Sequence, residues 1–542
     1  LELFATGTRN ILGTPISPLL DIFARDNTND GGGWDVRFHH FTGLEDHGYP
    51  RLYKNFADEH VQPLADYGGG SGCGSVYIHE PGFPAEWANA PFTCDWGTGA
   101  LWHHSVQRKG ATFEEVTAPK QFIKMTRPTD ADVDGMSAVY QASWRGPATF
   151  KWAGPEAGYI VRVTPKGFTP EPLPDYENMS DAELVAALDS PSRIRTMAAQ
   201  RTLLRRDVND EMTKALQDFA GNSAKPIEAR VAALFAISQR GFEKKLADKT
   251  LKKFSQFNRD PDLMAFAMRA FGDMAIGNFP TGLLNHGMGS KMAFEDPRSR
   301  AEAAIAAARL NAPASGSQIS ALLADDDETI RHVAFQALAK IGDYKSCLAI
   351  LGSEPDGKYA AFALMRMHNP DLIDELISRF PSEENTNARQ RIISILARLA
   401  QREAEWTGDS WGTRPDTRGP YYQPEAWAET DKILSTLKAA LEIAKPNEAA
   451  FIIREMSRNR IQSNDSLNTI LSLAKKNPKV VPDAVKQLAT AESIPPEGIE
   501  ILLKAVQSNG DEFGYDTIAD AVSILAKTDA KEVVTTSLTA LG

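Results

Sequence analysis

"FTPEPLPDYENMSDAEL", residues Phe168 to Leu184, is where the chain changes its pattern. Pro170, Pro172 and Pro174 stand in a polar run with Pro165 just ahead. Proline fixes φ and removes a backbone donor, so neither a helix nor a central strand passes through such a run. Ser180 followed by Glu183 then makes an S-x-x-E capping box, which opens a helix. Residues 169–179 read as a linker between two kinds of structure.

Upstream, residues 1–168 are dense in glycine, histidine and aromatic side chains. Alternating runs such as "GSVYIHE" from Gly74, "SAVYQASW" from Ser137 and "GYIVRVTP" from Gly158 are separated by turn residues. That is the pattern of antiparallel strands a turn apart, with Asp132 to Gly135 as a hairpin turn. Sheet units of this spacing are the size of propeller blades.

Downstream, residues 180–542 repeat. Aligned on proline, "SPSRIRTMAAQ", "KPIEARVAALF", "DPDLMAFAMRA" and "DPRSRAEAAIA" place Pro191, Pro226, Pro261 and Pro297 at intervals of 35, 35 and 36 residues. Proline suits the first helical turn, where its missing N–H had no partner. Ala198, Ala233, Ala304 and Ala334 recur seven positions on, and Arg195, Arg230 and Arg331 recur four on. A helix pair cannot bury its apolar face alone, so such units stack into an α-solenoid of HEAT-like repeats. An insertion at 405–430 carries three Trp, two Tyr and two Arg. It reads either as a brace packed on the solenoid or as a contact for another domain.

The whole chain has 542 residues and a net charge of -12. No basic stripe is present, which argues against a nucleic-acid surface. No apolar run is long enough to span a bilayer. The three cysteines, Cys73, Cys94 and Cys347, form no CxxC or CxxCH, so the chain has neither thiolate zinc sites nor covalent haem of its own. A Cys73–Cys94 disulfide is expected if the compartment is oxidising, although the spacing suits two free thiols in a strand pair equally well. The start "LELFATG" points to a processed form or a fragment.

The stretch "GTRNILGTPISPLLDIFARDNTNDGGGWDVRFHHF", Gly7 to Phe41, poses the functional question. Its loop from Asp26 to Asp35 is rich in oxygen donors, with Asp26, Asn27 and Asp35 as candidate ligands for calcium. An EF-hand is excluded, since Arg37 stands where the bidentate Glu belongs. An Asx-rich turn without metal is the alternative. Neither His39 with His40 nor His103 with His104 can aim both rings at one centre, because neighbours on a strand face opposite ways.

In order, G-T-R-N, a strand, the polar loop and then Gly48-Tyr49-Pro50 resemble the glucose and sorbosone dehydrogenase family of quinoproteins. The resemblance implies a six-bladed β-propeller binding pyrroloquinoline quinone (PQQ) with calcium. Arg9 and Asn10 match the family's quinone-binding Arg-Asn pair, and Arg127 of "MTRPTDADVDG" matches an arginine reaching the quinone carboxylates. Fused to HEAT repeats and the "GDSWGTRPDTRGPYY" segment, the arrangement resembles planctomycete and verrucomicrobial membrane-bound dehydrogenase-domain, PVC-type haem-binding proteins. It implies an extracytoplasmic sugar or alcohol dehydrogenase working with a cytochrome c domain or another electron acceptor. The family's catalytic histidine lies N-terminal to its G-x-R-N motif, so a missing propeller half or partner chain is expected to supply it. The competing expectation is a non-catalytic interaction or assembly protein of the cell envelope.

Overall fold

The computed structural model describes residues 3–28, 33–145, 154–207, 209–239, 250–251, 254, 261–274, 295–408, 419–461, 464–489, 491, 493–508 and 510–528. Residues 29–32 of the polar loop and 409–418 of the insertion lie outside the described residues. The chain forms two compact units. The first takes in residues 1–53, 58–346 and 413–415, and the second takes in 54–57, 347–412 and 416–542.

The first unit begins with three antiparallel sheets, each connected up and down in sequence. Strands β1 (Ile22–Arg25), β2 (Arg37–Phe41) and β3 (Ala65–Asp66) make one. Strands β4 (Gly72–Ile78), β5 (Ala90–Asp95), β6 (Ala100–Lys109) and β7 (Thr112–Lys124) make the second. Strands β8 (Pro128–Val133), β9 (Val139–Trp144) and β10 (Gly158–Val163) make the third. The β8–β9 turn is the one read from "DVDG": the Asp134 carboxylate accepts from the Met136 and Ala138 amides at 2.9 Å each.

Each sheet packs on the next through its first strand, β1 on β4 and β4 on β8. Close approach explains the glycines of "GGGSGCGS". A Cβ on Gly74 would lie 1.9 Å from an Asp130 carboxylate oxygen, and one on Gly72 would lie 2.4 Å from the Asp26 carbonyl. Apolar residues of the second and third sheets share one core, Val76, Ile78, Phe92, Leu101 and Val139 among them. The sheets do not close into a ring among the described residues.

The helices that follow in the same unit are α1 (Asp181–Ala187), α2 (Arg193–Arg205), α3 (Asp210–Ala220), α4 (Ile227–Gln239), α5 (Pro261–Met274), α6 (Pro297–Arg309) and α7 (Glu328–Ile341). The capping box expected at Ser180 and Glu183 opens α1. Pro261 and Pro297 start α5 and α6, whereas Pro226 precedes α4 by one residue and Pro191 stands ahead of the Ser192 N-cap of α2. The proline-led helices α2, α4, α5 and α6, and then α7 with Asp327 at the anchor position, pack one on the next, so sequence repeats become spatial neighbours. Ala233, Ala304 and Ala334 are fully buried where these helices meet. The recurrent arginines serve the turns: Arg230 Nε donates to the Ala220 carbonyl at the end of α3 at 2.9 Å, and Arg195 Nε donates to the Gly135 carbonyl at 2.7 Å.

The sheets and these helices are tied polar group to polar group. Asp21 pairs with Arg298 at 3.3 Å, the Asp46 amide donates to His332 at 3.1 Å, and the Ala111 amide donates to Asp327 at 2.7 Å.

In the second unit, helices 356–364, 386–399, 446–458, 481–488 and 515–525 form one row, and 370–379, 430–443, 464–476 and 496–507 form the other. The described part of the insertion is a brace. Trp427 Nε1 donates to the Leu399 carbonyl at 2.6 Å and Tyr421 to the Arg398 carbonyl at 3.2 Å, which satisfies the open end of helix Thr386–Leu399. Strands β11 (Arg402–Glu403) and β12 (Pro424–Glu425) pair across its base.

All three cysteines are free thiols, which corrects the expected Cys73–Cys94 disulfide. The β4–β5 register shifts between Gly72 and Ser75, so Cys73 sits in a bulge and is half-buried, while Cys94 is fully buried. No described helix is long and apolar enough to cross a membrane.

Candidate functional site

Five chain segments meet beside the first strands of the three sheets. The Asn27 amide donates to the Arg9 carbonyl at 3.1 Å, and Asn27 bridges to Ser71. The Trp96 amide donates to the Ser71 carbonyl at 2.8 Å, and the Arg127 guanidinium lies 4.9 Å from the centre of the Trp96 ring. Residues 9–10, 26–28, 70–71, 95–98 and 127 therefore belong to one neighbourhood.

Its floor is a buried ion pair. Arg25 Nη2 donates to Asp95 Oδ2 at 2.6 Å, and Asp95 Oδ1 accepts from the Ser71 and Thr98 amides at 3.0 and 2.9 Å. Asp95 is fully buried with all these partners and holds three segments together. Arg25 also lies 4.6 Å from the Tyr67 ring centre. Its Nε and Nη1 are buried without a hydrogen-bond partner among the described residues. Spare buried donors of this kind suit an anionic ligand.

The expected site residues divide. Arg9 is buried, Asn10 is exposed and Arg127 is half-buried on Trp96. Asn10 and Arg127 both hold left-handed backbone, with φ of 44° and 47°. A guanidinium set over an aromatic face in this way gains a cation–π contact.

The calcium candidates are less well disposed. Asp26 is fully buried, with Oδ1 accepting from the Arg37 amide at 2.6 Å and Oδ2 from the Trp34 indole at 2.7 Å. His39 Nε2 flanks the same carboxylate at 3.3 Å. Asp26 thus anchors β2 and Trp34, and a cation there would compete with protein donors. Asp35 is exposed, Asn27 is in the Ser71 bridge, and residues 29–32 of this loop lie outside the described residues. Among the described residues no cluster of three or more His, Cys, Asp or Glu is set to hold a metal. The described residues do not assemble the oxygen cage that calcium needs.

The histidines of the sheets face opposite ways, as strand geometry requires. His39 Nδ1 meets His47 Nδ1 at 3.1 Å, while His40 Nδ1 meets Thr112 at 3.1 Å. His104 sits between Thr93 at 2.7 Å and Glu115 at 2.8 Å. This order of hydroxyl, imidazole and carboxylate copies a hydrolytic triad, yet Thr93 and His104 are fully buried and no substrate reaches them. His103 packs on the Trp87 and Phe92 rings. Burial, with His47 beside it, lowers His39 to about 4, and burial lowers His40 and His103 to about 4 as well.

Sequence reasoning missed Arg25, Ser71, Asp95 and Trp96. In sequence Asp95 ends a strand like any other polar residue, and its role becomes visible only once Arg25 is seen opposite.

The fold and site define a mixed protein: antiparallel sheets with an arginine-lined convergence, followed by paired helices. No family model matches the chain, and no curated protein matches it. Among solved structures, a glucose dehydrogenase-type oxidoreductase of Thermus thermophilus is 13% identical, with 30% of this chain and 47% of that one covered, at a TM-score of 0.25. The karyopherin Kap121p bound to Ste12p is 11% identical, with 66% and 48% covered, at a TM-score of 0.25. Kap95p, from a study of its binding to RanGDP, is 12% identical, with 67% and 63% covered, at a TM-score of 0.26. The chain spans about half the length of the first two. At these scores the likenesses carry no argument about what this chain does.

Proposed function

We propose that the three sheets are blades of a six-bladed propeller of the glucose and sorbosone dehydrogenase type, and that their convergence binds PQQ. The supporting observation is that Asn10 and Arg127, two residues the motif order assigns to the quinone, both stand in left-handed backbone beside the same Ser71–Trp96 contact. Backbone held in sparsely populated regions concentrates at binding sites. PQQ carries three carboxylates, each of which a guanidinium fork can meet. When bound, it supplies a hydride acceptor for an alcohol carbon.

The residues of this chain bind and orient. A general base must stand within hydrogen-bond reach of the proton that it removes. His39, His40, His79 and His104 instead bond to protein neighbours, and His60 bonds to the Val61 carbonyl. As the resemblance implies, the base is proposed to come from further blades, on this gene product or a partner chain. An extracytoplasmic location and a cytochrome c-type electron acceptor complete this reading. The second reading is a non-catalytic assembly protein of the cell envelope, in which buried histidines such as His39 and His104 serve packing.

Titrating the purified chain with PQQ, with and without Ca²⁺, and following the cofactor's absorbance separates the two. Saturable binding that Arg127→Ala weakens by roughly tenfold, the worth of one charge-assisted bond, is expected. No binding, or binding indifferent to Arg127→Ala, leaves the assembly reading.

A further inference from the structure

A second cavity, remote in sequence from the quinone candidates, opens among Pro18, Leu20 and His79 and the starts of α2 and α4. Its volume of about 520 Å³ lies within the range of small-molecule sites. The wall is mainly apolar, with Leu20, Met197, Val231, Ala232 and Phe235 contributing.

Two charges on that wall stand out. Arg193, the first residue of α2, donates its backbone amide to the His79 carbonyl at 3.0 Å. Its guanidinium makes no hydrogen bond or ion pair with any described residue, and it is half-buried. Burial lowers it to about 10, with Tyr77 and Glu80 as the nearest groups opposing the shift. Glu228, near the start of α4, is likewise half-buried and without a bonded partner among the described residues. Other polar groups of the wall have protein partners: Asp189 holds Lys225 at 2.7 Å, Gln200 donates to the Ala232 carbonyl at 3.3 Å, and His79 Nδ1 meets Asn89 at 3.0 Å. Partly buried charges without partners are costly unless a ligand supplies them.

We propose that this cavity binds a small zwitterion with an apolar body, of the size of a dipeptide. Its carboxylate meets Arg193, its ammonium meets Glu228, and its side chains lie against Met197, Val231 and Phe235. An apolar molecule without charge leaves both groups unmatched, and a simple carboxylate leaves Glu228 repelled. The proposal is independent of the quinone reading.

The test is calorimetric titration of the full chain with leucyl-phenylalanine, its N-acetyl derivative and its C-terminal amide. The parent dipeptide should bind, and each blocked form should bind at least about tenfold more weakly. Arg193→Met should lower parent affinity to that of the amide, with no further loss on amidation, and Glu228→Gln should do the same for acetylation. Met197→Trp, which fills the cavity without touching either charge, should abolish binding. Equal binding of all three ligands, or no binding of the parent at about 5 mM, a Kd too weak for two charge-assisted contacts, overturns the proposal. The ligand comparison needs no variant, so it stands even if a substitution prevents folding.

Discussion

Arg127 and Asn10 hold φ of 47° and 44°, which side chains with a Cβ rarely adopt. Glycine accepts that backbone freely. Arg127→Gly should therefore be more stable than Arg127→Ala by up to about 1 kcal/mol in denaturant unfolding, since both lose the side-chain contacts and only alanine keeps the strained backbone, while PQQ affinity falls in both. Equal stability of the two variants would show that the backbone carries no strain. The buried histidines set a second expectation. His39 and His40 sit at about 4 when folded, against an ordinary value near 6.5. As pH falls from ~6.5 towards ~4 the unfolded chain takes up protons that the folded chain refuses, and stability drops by roughly 1.4 kcal/mol per unit for each histidine. Glu80 has the opposite sign. Burial raises it to about 7, so the folded chain holds its proton and stability falls as pH rises from ~4.5 to ~7. Between about pH 4.5 and 6.5 the two effects oppose each other, so in thermal midpoints across pH Glu80→Gln should steepen the loss of stability on acidification in that window. At this scale Arg127 stood out in the sequence because a motif surrounds it, and the fold sets it over Trp96. Asp26 was legible as a special carboxylate but not as an anchor, since Trp34 and the Arg37 amide reach it only after the loop folds back.

Among the elements, Asp327 does two jobs where Asp296 does one. Both cap a helix through their carboxylates, to Thr329 at 2.8 Å and Ser299 at 2.9 Å. Asp327 also accepts from Ala111 in the β6–β7 turn, where Gly110 has φ of +60° and a Cβ would meet Asp327 at 1.9 Å. Asp296→Ala should cost about 1 kcal/mol, and Asp327→Ala about 2–3 kcal/mol, because the Ala111 amide also loses its acceptor. Equal costs would show that the turn contact contributes nothing. The helical repeat was legible because each proline-led helix packs on the next one, so a period in sequence is a period in space. The free thiols of Cys73 and Cys94 were not legible, because a bulge in β4 sets the register and leaves no trace in residue spacing.

At the scale of the molecule, the linker at 169–179 marks a change of secondary structure, while the sheets share a compact unit with α1 to α7. The Asp21–Arg298, Asp46–His332 and Ala111–Asp327 contacts all join residues from either side of that linker. Residues 1–179 expressed alone should show no cooperative unfolding transition, and residues 1–346 should show one. A cooperative transition in the shorter piece would make the sheets an independent domain. The proposed function makes the convergence of those sheets a quinone site whose base would come from elsewhere. The direct measurement is dye reduction by the PQQ-loaded chain with Ca²⁺ and a panel of sugars and alcohols, after absorbance has shown the cofactor bound. The account predicts bound PQQ and no reduction above the rate without protein. Sustained dye reduction that Arg9→Ala abolishes would contradict it.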